Sequence, residues 1–294
     1  MLLELAVGDA FGAGFEYALP EFVQQHNTLE QYVQNPVYPA LEPGRFTDDT
    51  QMSIAVAETI ISGRPWTREL LAEKFVEVFK RDPRLGYSRH LQKFLETVKD
   101  GPDFLARINP ASDKSGGAMR AVPIGIFRSS TEVIEKAKLQ ASLTHNTLEG
   151  MAAAAAAALL SHWCLYAKQE GGGLDEVGEY IANRVSGFGE CIWNRPWEGP
   201  VGAQGWMSVR AAITAVQRNN SLAALLRDCV AFTGDVDTIA AIALGAASEH
   251  PDYAHDLPEK LVYGLETGRP YNAAYFVELD QVLKAAVSYQ QPPK

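Results

Sequence analysis

Apolar residues recur along this chain at helical spacing and almost nowhere alternate as strands require. Between Thr67 and Lys80, Leu70, Leu71, Phe75, Val78 and Phe79 share one face and charges occupy the other, which predicts an amphipathic helix. Thr131 to Leu143 repeats the pattern, with a Thr as the expected N-cap and a Glu close behind it. The longest predicted helix covers 147–168, where seven consecutive alanines allow neighbouring helices to come close. Further helices are predicted over Ala203–Arg218, Leu222–Phe232, Val236–Ser248 and Ala273–Tyr289. Pro- and Gly-containing turns separate them, among them Gly63-Arg64-Pro65, Gly199-Pro200 and Gly268-Arg269-Pro270. The expectation is an all-α protein of many helices packed at varied angles, with no internal repeat.

Length and composition narrow this further. A chain of 294 residues that is 47% hydrophobic can bury a large core. No Pro/Gly/Ser-rich linker is long enough to divide it, and the three glycines at 171–173 read as a loop between helices. One domain over 1–294 is therefore expected. A formal charge of −10 without a Lys/Arg cluster argues against unmodified nucleic acid as a partner. A small anion is still admissible where helix N-termini or isolated cations receive it. Cys164, Cys191 and Cys229 show no CxxC spacing, which points to reduced thiols in a cytoplasmic protein rather than a disulfide framework or zinc site. Met1 to Leu5 lacks the basic start of a signal peptide. The Ala-rich run 151–166 carries Ser161 and His162 and reads as a core helix, so no membrane partner is expected. Two long loops, 20–46 and 187–205, are candidates for function.

Candidate chemistry concentrates in two acidic motifs, Thr47-Asp48-Asp49-Thr50 and Asp235-Val236-Asp237-Thr238, each opening an apolar stretch. The plainer reading is an ordinary helix start, since Thr and Asp cap helices and acids in the first turn favour the macrodipole. A cap, however, needs one such side chain, and each motif supplies two acids in apolar surroundings. Buried carboxylates must be protonated, paired or bound to a cation, and an oxygen-only donor set suits Mg²⁺ or Mn²⁺. Asp9 and Glu16 share a segment with Gly8, Gly12 and Gly14, whose small size permits close approach of a backbone or ligand. On composition alone both acids read as satisfied core groups. Ser115-Gly116-Gly117 runs into an apolar segment and can present free backbone N–H groups to a phosphate, or be a simple flexible turn. His145 by itself reads as a hydrogen-bonded structural residue. Trp193, Trp197 and Trp206 can stack a base or anchor a loop.

Taken together and in this order, these motifs resemble the ADP-ribosylglycohydrolase family, including the glycohydrolases that reactivate ADP-ribosylated nitrogenase reductase. The matching stretches are GDAFGAGFE at 8–16, TDDTQMS at 47–53, SGGAMR at 115–120, THN at 144–146 and TGDVDT at 233–238. The resemblance implies an all-α fold with two divalent cations, Mg²⁺ or Mn²⁺, held by Thr47, Asp48, Asp49, Asp235, Asp237 and Thr238. It makes Glu16 the mobile catalytic glutamate, with Asp48 and Asp237 carrying catalysis beside it. Asp9 would line the site, Ser115, Gly116 and Gly117 would hold a diphosphate, and His145 would line the ADP-ribose cleft. The implied reaction is hydrolysis of the glycosidic bond between ADP-ribose and an acceptor, on an ADP-ribosylated protein or an ADP-ribose-containing small molecule. A non-catalytic ADP-ribose or metal binder on the same fold is the alternative, and a metal-dependent phosphoesterase a further one. Two departures stand out: Thr233 replaces the first glycine of a Gly-Gly-Asp, and Lys114-Ser115-Gly116 replaces a Gly-Asn-Gly.

Overall fold

The burial of two small-residue helices organises the molecule. The computed structural model describes residues 1–170 and 172–289; the predicted loop at 171–173 begins at a residue outside them. The first half of the described chain contributes α1 (Leu2–Gly12), α2 (Pro20–His26), α3 (Asp48–Ile61), α4 (Arg68–Arg81), α5 (Arg89–Thr97), α6 (Gly101–Arg107), α7 (Gly116–Met119) and α8 (Ser130–Ala141). The second half contributes α9 (Leu148–Glu170), α10 (Val177–Ala182), α11 (Gly205–Arg218), α12 (Leu222–Ala231), α13 (Val236–Ala247), α14 (Glu259–Gly264) and α15 (Ala273–Tyr289). Only isolated bridges represent β-structure among the described residues, so the all-α expectation holds.

Every residue of α13 is buried, and α1, α9, α11 and α12 surround it. The contact with α1 is backbone on backbone. A Cβ on Gly8 would stand 2.6 Å from the Ala240 carbonyl oxygen, and one on Gly12 2.5 Å from Asp237 Cα. Here the spacing of glycines in the first motif serves a neighbouring helix rather than a ligand. In α9, Ala153 to Ala158 are fully buried. Its Leu148–Tyr166 stretch has the length and apolarity of a membrane span, yet 78% of that window lies inside the fold.

Helix starts follow capping chemistry. The Thr67 side chain accepts from the Leu70 N–H, and α4 buries the predicted face of Leu70, Leu71, Phe75, Val78 and Phe79. For α8 the cap is Ser129, not the predicted Thr131, because the Ser129 hydroxyl accepts from the Glu132 N–H. The pattern missed α1 for a physical reason: nine of its eleven residues are buried, and a helix enclosed on all sides has no polar stripe to reveal its period. Helix α2 also shortens the expected 20–46 loop.

Candidate active site

The turn after α1 and the N-termini of α3, α7 and α13 open onto one cleft of about 520 Å³. The first acidic motif is set in place by Asp9, which is completely buried. Asp9 Oδ2 accepts from the Thr47 N–H (2.9 Å), the Thr50 N–H (3.0 Å) and Thr50 Oγ1 (2.5 Å), while Oδ1 accepts from Thr47 Oγ1 at 2.8 Å. A carboxylate from α1 thus satisfies the free donors at the start of α3. Asp9 does not line the cleft, contrary to expectation: four donors hold it one layer behind. Burial pushes its carboxyl up, and the Thr47 and Thr50 donors work against that push. With its proton committed to Asp9, Thr47 Oγ1 keeps lone-pair capacity and accepts only a long 3.5 Å bond from the Asp49 N–H.

Asp48 is partly exposed to the cleft and Asp49 is buried. Burial first, then neighbouring carboxylates led by Asp9, hold both well above the usual carboxylate range. Asp49 Oδ1 is buried with no hydrogen-bond partner. In the second motif Asp235 occupies the N-cap position, but its side chain makes no capping bond. It instead accepts from Ser208 Oγ at 3.1 Å, and burial pushes its carboxyl up. Asp237 Oδ1 accepts from the Thr238 N–H at 2.9 Å. Asp235 also acts on Asp49 through its charge, which couples the two motifs electrostatically.

Glu16 completes the acidic cluster. Carboxylate oxygens of Glu16, Asp235 and Asp237 lie within 4.8 Å of one another. Burial, then Asp235 and Asp9, push Glu16 up to about 8. Aspartates Asp48 and Asp49 face the same cleft outside that group of three. Two features fit a divalent cation. The cluster is built of oxygen donors with no pairing Lys or Arg among the described salt bridges, and Asp49 Oδ1 is an orphaned buried acceptor. Asp48, Asp49, Asp235, Asp237 and Thr238 line this cleft, whereas Thr47 is buried behind it with its hydroxyl on Asp9.

Ser115, Gly116 and His145 line the same cleft. Gly117 is buried in the same turn, and a Cβ on it would stand 3.1 Å from His145 Cγ. A Cβ on Gly116 would stand 2.9 Å from His145 Cε1, so the missing side chains leave the imidazole edge open. Burial, then the Arg120 charge, lowers His145 to about 3, which keeps the ring neutral at physiological pH.

Sequence reasoning gave no role to several cleft residues. Tyr17 and Tyr38 flank Glu16, Arg120 and Thr144 lie beside His145, and Leu85 to His90 form one wall. Gly86 has φ +111, and a side chain there would strike the Asp48 carboxylate. An isolated glycine in Arg84-Leu85-Gly86-Tyr87 was the available signal. Of the two long loops, 20–46 supplies Tyr38, Ala40 and Leu41, but 187–205 supplies only Ala203. The tryptophans anchor that second loop. Trp193 is buried edge-on to Phe188, Trp197 meets Trp206, and Arg210 donates to the Arg195 and Pro196 carbonyls.

Thr233 sits at φ +64, where a β-branched residue is strained and glycine is not. Its carbonyl accepts from Val201 and leads into Gly234 at φ +90. Thr233→Gly should stabilise the fold by about 1 kcal/mol, relief of left-handed strain exceeding glycine's chain entropy. Thermal melting should show a rise of roughly 2 °C.

Comparisons with known proteins give the family and the fold. The ADP-ribosylglycohydrolase family pattern matches residues 1–288. ADP-ribosylhydrolase ARH3 of Bos taurus is 29% identical over 172 residues, covering 54% of this chain and 47% of that protein. ADP-ribosylarginine hydrolase Tri1 of Serratia proteamaculans is 28% identical over 163 residues, covering 51% of this chain and 42% of that protein. The chain thus spans about half the length of the curated relatives it matches. A solved ADP-ribosylglycohydrolase-related protein complex shares the fold, with a TM-score of 0.67 at 21% identity, covering 99% of this chain and 96% of that one. With the family pattern spanning nearly its whole length, this chain belongs to the ADP-ribosylglycohydrolase family.

Proposed function

We propose that this chain hydrolyses the glycosidic bond joining ADP-ribose to an acceptor, on a protein side chain or a small molecule, with two divalent cations, Mg²⁺ or Mn²⁺, at its acidic cluster. The observation that carries the reading is one cleft that brings two chemistries together. Carboxylates from the turn after α1 and from the starts of α3 and α13 crowd it, and Ser115, Gly116 and a neutral histidine line the same space. An ADP-ribosyl unit has matching parts, a ribose with vicinal hydroxyls and an anionic diphosphate.

Departure of the acceptor builds positive charge at the anomeric carbon, and carboxylates held nearby stabilise that charge. Thr47, Asp48, Asp49, Asp235, Asp237 and Thr238 would hold the cations. Bound there, they supply charge to orient ribose hydroxyls and to acidify a water. Glu16 lies beside Asp235 and Asp237 and carries a proton-transfer group whose affinity is displaced toward neutrality. That displacement suits it to move a proton to the acceptor or from water. Backbone N–H groups of the Ser115 turn receive the diphosphate, which reconciles an acidic protein with an anionic ligand. Three buried, free cysteines support a reducing, cytoplasmic setting.

The test is release of free ADP-ribose from arginine-, serine- and acetyl-linked substrates in Mg²⁺, Mn²⁺ or EDTA. Release from at least one substrate, abolished by EDTA, is expected and identifies the linkage. Phosphate release instead, or ADP-ribose binding without turnover of any substrate, would replace this reading with a phosphoesterase or a binding protein.

A further inference from the structure

Arg120 is an arginine at 1% exposure that, among the described residues, forms no ion pair. Its guanidinium lies over the Phe75 ring, 4.6 Å from the centroid, and spends its donors on neutral acceptors. Nε donates to Gln140 Oε1 at 2.6 Å, while Nη2 donates to Thr144 Oγ1 at 2.7 Å and to the Gln140 carbonyl at 3.3 Å. Gln140 Nε2 in turn donates to the Gly117 carbonyl at 2.7 Å, bracing the Ser115–Gly117 turn from below. Burying a guanidinium without a carboxylate is costly, so its placement needs a reason.

The donor count provides one. Arginine has donors and no acceptor, so Thr144 Oγ1 must accept from Arg120. The single hydroxyl proton of Thr144 is then left for its other neighbour, His145 Nδ1, at 2.6 Å. An Nδ1 that accepts leaves the ring proton on Nε2. The Nε2 edge is the one uncovered by Gly116, whose Cβ position lies 3.2 Å from Nε2. A second proton on the ring would place imidazolium beside guanidinium in a buried site, which the same geometry opposes.

We propose that Arg120, acting through Thr144, locks His145 as the neutral Nε2–H tautomer, so that the ring donates a hydrogen bond to the diphosphate at the Ser115–Gly117 turn. The ligand half of this inference rests on the proposed function; the tautomer half does not. Arg120 and Thr144 are positioning residues; a carboxylate at position 144 would have no proton to donate and would instead accept from Nδ1–H.

The test pairs long-range ¹H–¹⁵N spectra of the histidine rings, recorded without ligand, with calorimetric titration of ADP-ribose in Mg²⁺. The His145 signals are assigned from a His145→Gln spectrum. Wild type should show a single Nε2–H pattern for His145. Thr144→Val, nearly isosteric, should give mixed tautomers and about tenfold weaker ADP-ribose binding, the scale of one hydrogen bond to a charged group. Thr144→Ser, which keeps the hydroxyl, should restore both. An Nδ1–H pattern in wild type, or Thr144→Val with tautomer and affinity unchanged, would overturn the proposal, as would Thr144→Ser behaving like Thr144→Val. Should wild-type protein bind no ADP-ribose, the diphosphate role falls with the proposed function, and the ligand-free spectrum still decides the tautomer.

Discussion

Asp237→Asn is expected to abolish both divalent-cation binding and turnover while making the cation-free protein more stable. Asp237 is buried, and burial followed by Glu16, Asp49, Asp235 and Asp9 holds its carboxyl well above the usual range. Removing one acid from this group relieves repulsion that the folded chain otherwise stores. The same substitution removes a ligand oxygen, so addition of Mg²⁺ or Mn²⁺ should leave its melting temperature unchanged. In wild type the cation should stabilise by about 2.7 kcal/mol at a hundredfold excess over its dissociation constant. Asp48→Asn should behave alike in turnover and cation binding.

The pH dependence follows from the direction of these shifts. Glu16 binds its proton more tightly folded, at about 8, than at the ordinary 4.5, so between these values the folded chain holds more protons than the unfolded. Cation-free stability is therefore greatest below the ordinary value and falls as pH rises toward 8. A cation displaces those protons, so its stabilising effect grows over the same window. Calorimetric melts of wild type and Asp237→Asn, with and without Mn²⁺, decide this. A cation-induced shift in Asp237→Asn equal to that of wild type, or wild-type turnover in it, would remove the acidic cluster from the mechanism.

Glu16→Gln should lower hydrolysis by roughly 100- to 10,000-fold, the usual contribution of a positioned proton-transfer group. Binding of ADP-ribose and of the cation should persist, because the six motif ligands remain and the amide keeps the side chain's shape. The split between lost turnover and retained affinity is the informative result. If turnover and cation affinity fall together, Glu16 is a ligand, a role its contact with Asp235 and Asp237 also permits. If turnover is unchanged, the proton moves elsewhere.

Much of this architecture was written in local pattern. The faces of α4 and the extent of α15 could be read from spacing because one side of each meets water. The acidic motifs were legible because two adjacent acids in an apolar run have few uses. Gly8 and Gly12 signalled a close approach, though not whether helix or ligand would make it. Asp9 was misplaced because nothing local distinguishes an acid that touches a ligand from one that orients the residues that do. Only when α1 lies across α3 do the Thr47 and Thr50 donors claim it.

The remaining site residues were hidden for the same reason. Arg120 follows Met119 in an unremarkable apolar segment, and its partners Gln140 and Thr144 lie on and just beyond α8. Tyr17, Tyr38 and Gly86 come from loops whose directions depend on the helices they join. The chain by itself therefore determined the helical class, the family and the carboxylates available for chemistry, since periodicity, capping and residue type are local properties. The tertiary structure alone decided which carboxylates meet, which one stands behind them and which way the histidine donates, because those depend on contacts between residues dozens to hundreds of positions apart.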